Sequence, residues 1–205
     1  MKIFHITSLS IATFALSIQV CSAADAVKPT QAEIVMKASF KDRGQAKVDR
    51  LNQDETQRLC SKYPDKLPKD IAKKIEAINT KLVKFPADGK LLGDWKEGEK
   101  IAQSGVGKQF SDDPARPAGG NCYACHQLAK HEIAFGNIGP SLYNFGKLRG
   151  NTEPIQKYTY GKIYNAEAYS ACTNMPRFGH SGILTEEQIK HVTALLLDAN
   201  SPVNN

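Results

Sequence analysis

Along this chain apolar residues recur three and four positions apart in stretches separated by proline and glycine, a pattern that predicts an all-α protein. Three helices are expected between Thr30 and Val83. Asn52 with Glu55 has capping-box spacing ahead of a helix running towards Tyr63. Pro64 and Pro68 close that helix and open the next, where Ile71, Ile75, Ile78 and Leu82 share one face. The segment is thinly apolar for an independent fold, so this stripe should lie against the rest of the chain. Phe85-Pro86-Ala87-Asp88-Gly89 then marks a turn and the expected boundary.

Beyond the boundary a helix from Leu91 to Ser104 carries Leu92, Trp95, Ile101 and Ala102 on one side. Gly98 inside it costs about 1 kcal/mol against alanine, which makes sense if a second helix crosses closely there. The expected partner is the last helix, opened by Thr185 with Gln188 at capping-box spacing and turning Ile189, Val192, Leu195 and Leu196 inward. Between these two lie a Gly/Pro-rich loop and one helix near Pro154 to Tyr164.

At the other end, Lys2, the apolar run Ile3 to Val20 and the small residues before Asp25 read as a secretory signal. The expected organisation is a signal peptide over 1–23, a helical N-terminal extension over 25–90 and one further domain over 91–205. Cleavage after Ala23 or Ala24 removes Cys21. Val20 is larger than the residue that usually precedes a lipidated cysteine, so no lipid anchor is expected there. No other stretch approaches the roughly 18 apolar residues of a membrane span, and a bacterial periplasm is the expected compartment.

Charge is unevenly placed. Asp25 to Lys90 holds 15 Lys and Arg against 10 Asp and Glu, whereas Leu91 to Asn205 holds 11 of each. Nucleic acid is a poor explanation for an exported chain whose lysines alternate with acids in helical patterns. A basic docking surface for an acidic partner protein stays open.

The chemistry concentrates at Cys122-Tyr123-Ala124-Cys125-His126. C-x-x-C-H is the pattern of covalent haem attachment. Two cysteines one turn apart reach the porphyrin vinyl groups, and the adjacent histidine reaches the iron from the same side. Half of a zinc site and a redox dithiol are the alternative readings of C-x-x-C; the directly following histidine and the export signal count against both. The expected cofactor is a single covalent haem c.

His126 would fill one axial position. For the other, Met175 lies in the irregular loop Thr173-Asn174-Met175-Pro176-Arg177-Phe178, while Met36 falls on an amphipathic helix and reads as packing. His180, His131 and an empty position are the rivals. His180 would lower the potential, because imidazole donates more strongly than a thioether. Ile138-Gly139-Pro140-Ser141-Leu142 is expected to present a carbonyl to the other ring N–H of His126. Arg177 would pair with a haem propionate or sit in solvent.

Cys60 and Cys172 remain after signal cleavage. An even remainder in an oxidising compartment favours an intrachain disulfide tying the extension to the Met175 loop. A free Cys172 and an intermolecular bridge stay open.

Several stretches together resemble one family: Gly93-Asp94-Trp95-Lys96-Glu97-Gly98-Glu99, Gly119-Gly120-Asn121 running into the haem motif, Asn174-Met175-Pro176-Arg177-Phe178-Gly179, Leu184-Thr185-Glu186-Glu187-Gln188-Ile189, Leu195-Leu196-Leu197-Asp198 and Ser201-Pro202-Val203-Asn204. They are similar to SoxX, the small monohaem subunit of the SoxAX cytochromes of thiosulfate oxidation. The likeness covers roughly Leu91 to Asn204, and the extension is similar to that of longer forms.

This resemblance implies a class I cytochrome c fold in which Cys122 and Cys125 attach the haem while His126 and Met175 bind iron. It also implies a heterodimer with SoxA, contact with the SoxYZ carrier through SoxA, and a small acceptor cytochrome c. In that setting the chain would be the electron-transfer subunit of a heterodimeric L-cysteine S-thiosulfotransferase, with no residue of its own performing the sulfur chemistry. A free periplasmic electron carrier without a permanent partner is the alternative. A haem-based sensor or peroxidase is a third reading.

Overall fold

Helices make up the regular structure of residues 30–205, the part of the chain that the computed structural model describes; the expected signal peptide lies outside the described residues. A lone bridge joins Arg43 to Ala46. The described residues up to Ser39 form one unit, and Phe40–Asn205 form another. The first contains α1 (Gln31–Ser39), whose start is closed by reciprocal hydrogen bonds between Thr30 and Glu33.

In the second unit, α2 (Glu55–Lys62) begins two residues later than the Asn52/Glu55 pattern suggests. The N–H of Asn52 is committed to Asp49, closing the 3-10 turn Val48–Leu51. Asp54 takes the cap instead. Its carboxylate accepts from the Gln57 N–H at 2.9 Å, and the Gln57 side chain accepts from the Asp54 N–H. Next, α3 (Lys69–Leu82) follows Pro68, with Ile75 fully buried and Ile71 and Ile78 partly so. It packs against the turn Ala166–Ala168, so from Phe40 onward the segment lies against the rest of the fold as its sparse apolar content requires.

After a turn closed by the Gly89 N–H on Pro86, α4 (Trp95–Gln103) starts late because Asp94 caps it through the Lys96 N–H. It crosses α7 (Glu186–Leu197), which carries the Thr185/Gln188 capping box. The crossing is as close as Gly98 implies: a Cβ there would strike the His191 carbonyl and Leu195. Two helices fill the interval, α5 (Phe145–Arg149) and α6 (Glu153–Tyr164). The first of them the apolar pattern does not announce. It is pinned by buried Asn204 in the final turn, whose Oδ1 accepts from the Gly146 and Lys147 N–H while its Nδ2 donates to the Leu196 and Asp198 carbonyls. Leu128, Tyr160, Ile189, Leu195 and Val203 form the centre of the core.

Candidate haem site

The attachment motif is held by the end of α4. A helix leaves its last carbonyls without partners; here the Gly120 N–H takes Ile101 at 2.8 Å and the Asn121 N–H takes Ser104 at 3.0 Å. Gly119 is required because a Cβ would enter Ser104. Asn121 then adopts left-handed φ, 46°, and turns the chain into the single 3-10 turn Cys122–Ala124. The N–H groups of Cys125 and His126 both return to the Cys122 carbonyl, so the two thiols and the imidazole share one turn.

A second strip of chain runs back along this turn. The Gly136, Gly139 and Leu142 N–H groups donate to the carbonyls of Tyr123, Cys125 and Gln127, each at 2.8 Å. That ladder delivers the Pro140 carbonyl to His126 Nδ1 at 2.7 Å. With Nδ1 carrying the hydrogen and donating, Nε2 keeps its lone pair for a metal, and the ring cannot rotate freely. Gly139 lies against the imidazole, where a Cβ would overlap three ring atoms. The expected carbonyl is thus supplied by Pro140; the tightness at Gly139 was not readable beforehand.

Cys122 and Cys125 are unbridged, whereas Cys60 and Cys172 are joined at 2.08 Å. Burial pushes the Cys122 thiol up to about 12, with lesser effects from a backbone hydrogen bond and from Cys125. The residue is half-buried. Zinc binding and disulfide exchange both need thiolate. Zinc also wants about four ligands, and among the described residues no group of three or more His, Cys, Asp and Glu gathers to hold a metal. The residues fit a haem better. They offer two unbridged thiols and one oriented imidazole, and a porphyrin supplies four iron ligands itself.

Met175 sits in the loop after Cys172, half-buried against the same core that supports Cys122 and Leu142. It borders a cleft of about 300 Å3 lined by Gln57, Glu167, Thr173, Arg177 and Ile183. A larger groove of about 370 Å3, between Lys108, Arg116 and Gln188, contains none of the motif residues and is a separate surface feature. His131 is exposed. His180 is half-buried, its N–H bonded to the Tyr164 carbonyl. Burial first, then Arg177, hold its imidazole below the usual value, with Asp54 opposing. Met36 belongs to α1, in the other unit.

Arg177 does not sit in solvent. Its side chain is 12% exposed and bonds Asp54 at 2.6 Å. Beside it, buried Glu167 accepts from the Cys172 N–H at 2.6 Å. Sequence reasoning missed both Asp54 and Glu167, ordinary surface residue types of which the fold buries Glu167 and brings half-exposed Asp54 to Arg177.

Residues 90–200 match the family model of Cytochrome c. An uncharacterized lipoprotein of Aquifex aeolicus (strain VF5) is 34% identical over 192 residues, spanning 89% of this chain and 90% of that one. An alignment of that span takes in most of the segment before Leu91 as well as the helices around the motif. No helix among the described residues is long and apolar enough to cross a membrane. The chain belongs to the cytochrome c family, an all-α fold with additional N-terminal helices, and the family implies a capacity to bind haem c covalently.

Proposed function

We propose that this protein is a monohaem c-type cytochrome acting outside the cytoplasm as a one-electron carrier. The observation that carries the reading is the 2.7 Å hydrogen bond from His126 Nδ1 to Pro140, beside two unbridged thiols on the same turn. Cys122 and Cys125 would hold the haem as thioethers, and His126 Nε2 and Met175 would be its iron ligands. When bound, the haem supplies a reversible one-electron store. The chain's part is to fix the imidazole through the Pro140 carbonyl and to hold the Met175 thioether in place. A thioether in place of a second imidazole raises the potential and suits the carrier to accepting electrons.

The finer reading is that the carrier is the SoxX-like subunit of a SoxAX-type complex in the periplasm, passing electrons from SoxA, where SoxYZ is loaded, to a small acceptor cytochrome c. It is supported by the resemblance falling on joints of the fold, including the Gly93–Gly98 crossing and the Asn204 bracket. The free carrier needs no such partner and accounts equally for the haem turn.

Purification of the native protein with a stain for covalent haem tests the general reading, which an unstained chain would overturn. A second haem-bearing chain in fixed ratio, with haem reduction on adding thiosulfate and carrier protein, would establish the SoxX-like role. A lone monohaem chain indifferent to thiosulfate would leave the free carrier. Intact mass of the same sample separates cleavage after Ala23 or Ala24 from retention of a lipid on Cys21, the anchor that the word lipoprotein implies for the Aquifex relative.

A further inference from the structure

One short helix grips the Met175 loop at both ends. Cys60, inside α2, is bonded to Cys172, three residues before Met175. Asp54, the cap of the same helix, takes the guanidinium of Arg177, two residues after it. The span between these fasteners belongs to no helix, and the Met175 N–H reaches Thr173 Oγ1 at 3.3 Å. Irregular segments of this kind open locally at low free-energy cost. Fastening both ends to one rigid element removes most open conformations.

The helix is itself anchored. Thr56 Oγ1 accepts from buried Asn79 Nδ2 at 2.8 Å, and Asn79 Oδ1 accepts from Asn165 Nδ2 at 3.0 Å. Glu76 on α3 accepts from the Ala171 N–H at 3.4 Å. From Asn165 to Arg177, the approach to Met175 is therefore tied to α2 and α3 at successive points.

We propose that α2 is a brace for the distal iron ligand, with Cys60, Cys172, Asp54 and Arg177 as positioning residues that limit how often Met175 leaves the iron. This rests on the reading of Met175 as that ligand. The segment before Leu91 then has a task within the haem site, apart from any partner it meets. Loosening the brace favours loss of the thioether, which lowers the potential and admits outside ligands to the iron.

The test uses the full-length haem-loaded protein. The wild type is compared with Cys60→Ser/Cys172→Ser, with Arg177→Gln, and with Val203→Ala, a core truncation away from the loop. Two readouts are taken: the rate at which imidazole displaces the sulfur ligand from ferric iron, followed by the sulfur-to-iron charge-transfer absorption, and amide hydrogen exchange over Thr173–Arg177. Both should rise about tenfold or more in the double-serine variant and by a smaller factor in Arg177→Gln. They should stay near wild type in Val203→Ala, which loses global stability only. Wild-type rates in the braceless variants overturn the proposal. If the double-serine variant yields no folded holoprotein, Arg177→Gln and Asp54→Asn carry the test by the same criterion. If the wild type itself lacks the charge-transfer band, the Met175 reading fails, and exchange alone decides whether α2 anchors the loop.

Discussion

The ring of His126 is held from two directions by adjacent residues: the Pro140 carbonyl takes its Nδ1–H at 2.7 Å, and the Gly139 α-carbon rests against the imidazole. The dipeptide Gly139-Pro140 thus sets both the tautomer and the tilt of the candidate iron ligand. Such partners outside the ligand shell commonly matter nearly as much as the ligands themselves.

Gly139→Ala is expected to impair the site without touching a ligand. The new methyl overlaps Cε1, Nδ1 and Nε2, so the ring must swing away or the loop retreat, and either breaks the Nδ1 bond. Haem stain per unit of protein should fall, and the fraction that still loads should show a shifted potential. Full loading at an unchanged potential would refute the account.

Gly98→Ala sets two effects against each other. Alanine is the better helix former by about 1 kcal/mol, but its Cβ meets the His191 carbonyl carbon and oxygen, which as backbone cannot step aside. Overpacking of that sort costs about 1–3 kcal/mol, so steric exclusion wins. Chemical denaturation should show a net loss of up to about 2 kcal/mol, and a gain would mean that α4 and α7 separate freely.

The helix crossing and the haem turn were legible because each depends on a local anomaly: a glycine inside an apolar helix at Gly98, and a five-residue chemical signature at Cys122–His126. Capping at Thr185 was legible for the same reason, since Gln188 lies within one turn. Asn79 and Asn204 were not. Both are polar residues buried by partners far along the chain, 86 residues away at Asn165 and 58 at Gly146. Helix α5 shares that fate, because its five residues are too few to be stable alone and borrow their first-turn acceptor from Asn204. The start of α2 was misplaced because two overlapping cap patterns compete there, and the 3-10 turn before it consumes Asn52.

Asn204→Ala tests that long-range bracket. It would strand the Gly146 and Lys147 N–H groups and leave the Leu196 and Asp198 carbonyls without the amide that serves them. Stranding buried groups costs about 1–3 kcal/mol apiece; with solvent relieving some of them, a loss of about 2–4 kcal/mol is expected. Asn204→Asp keeps the acceptor but not the donor and should fall in between. Equal stability of all three proteins by urea titration would show that the final turn is not a structural joint.

Acid dependence should divide between two carboxyls beside the Met175 loop. Burial opposes ionisation of Asp54, but the Gln57 N–H and Arg177 outweigh it and hold its carboxyl below the ordinary value. Its contribution to stability is therefore complete above the unfolded value of about 3.9 and lost as pH falls through the lower folded one. Glu167 runs the other way. Burial, partly offset by the Cys172 N–H, Arg177 and Lys162, raises its carboxyl. Folded protein then binds that proton more tightly than unfolded protein does, so stability declines as pH rises from about 4.3 through the folded value and levels off above it. Urea midpoints taken from pH 3 to 8 should show Asp54→Asn with a flattened acid limb. Glu167→Gln, which keeps an acceptor for Cys172, should lose the decline and be at least as stable as wild type at pH 7. A glutamine variant less stable than wild type at pH 7 would mean that the ionised carboxylate is held favourably by Arg177 and Lys162 after all, and that the charge at this loop favours the fold.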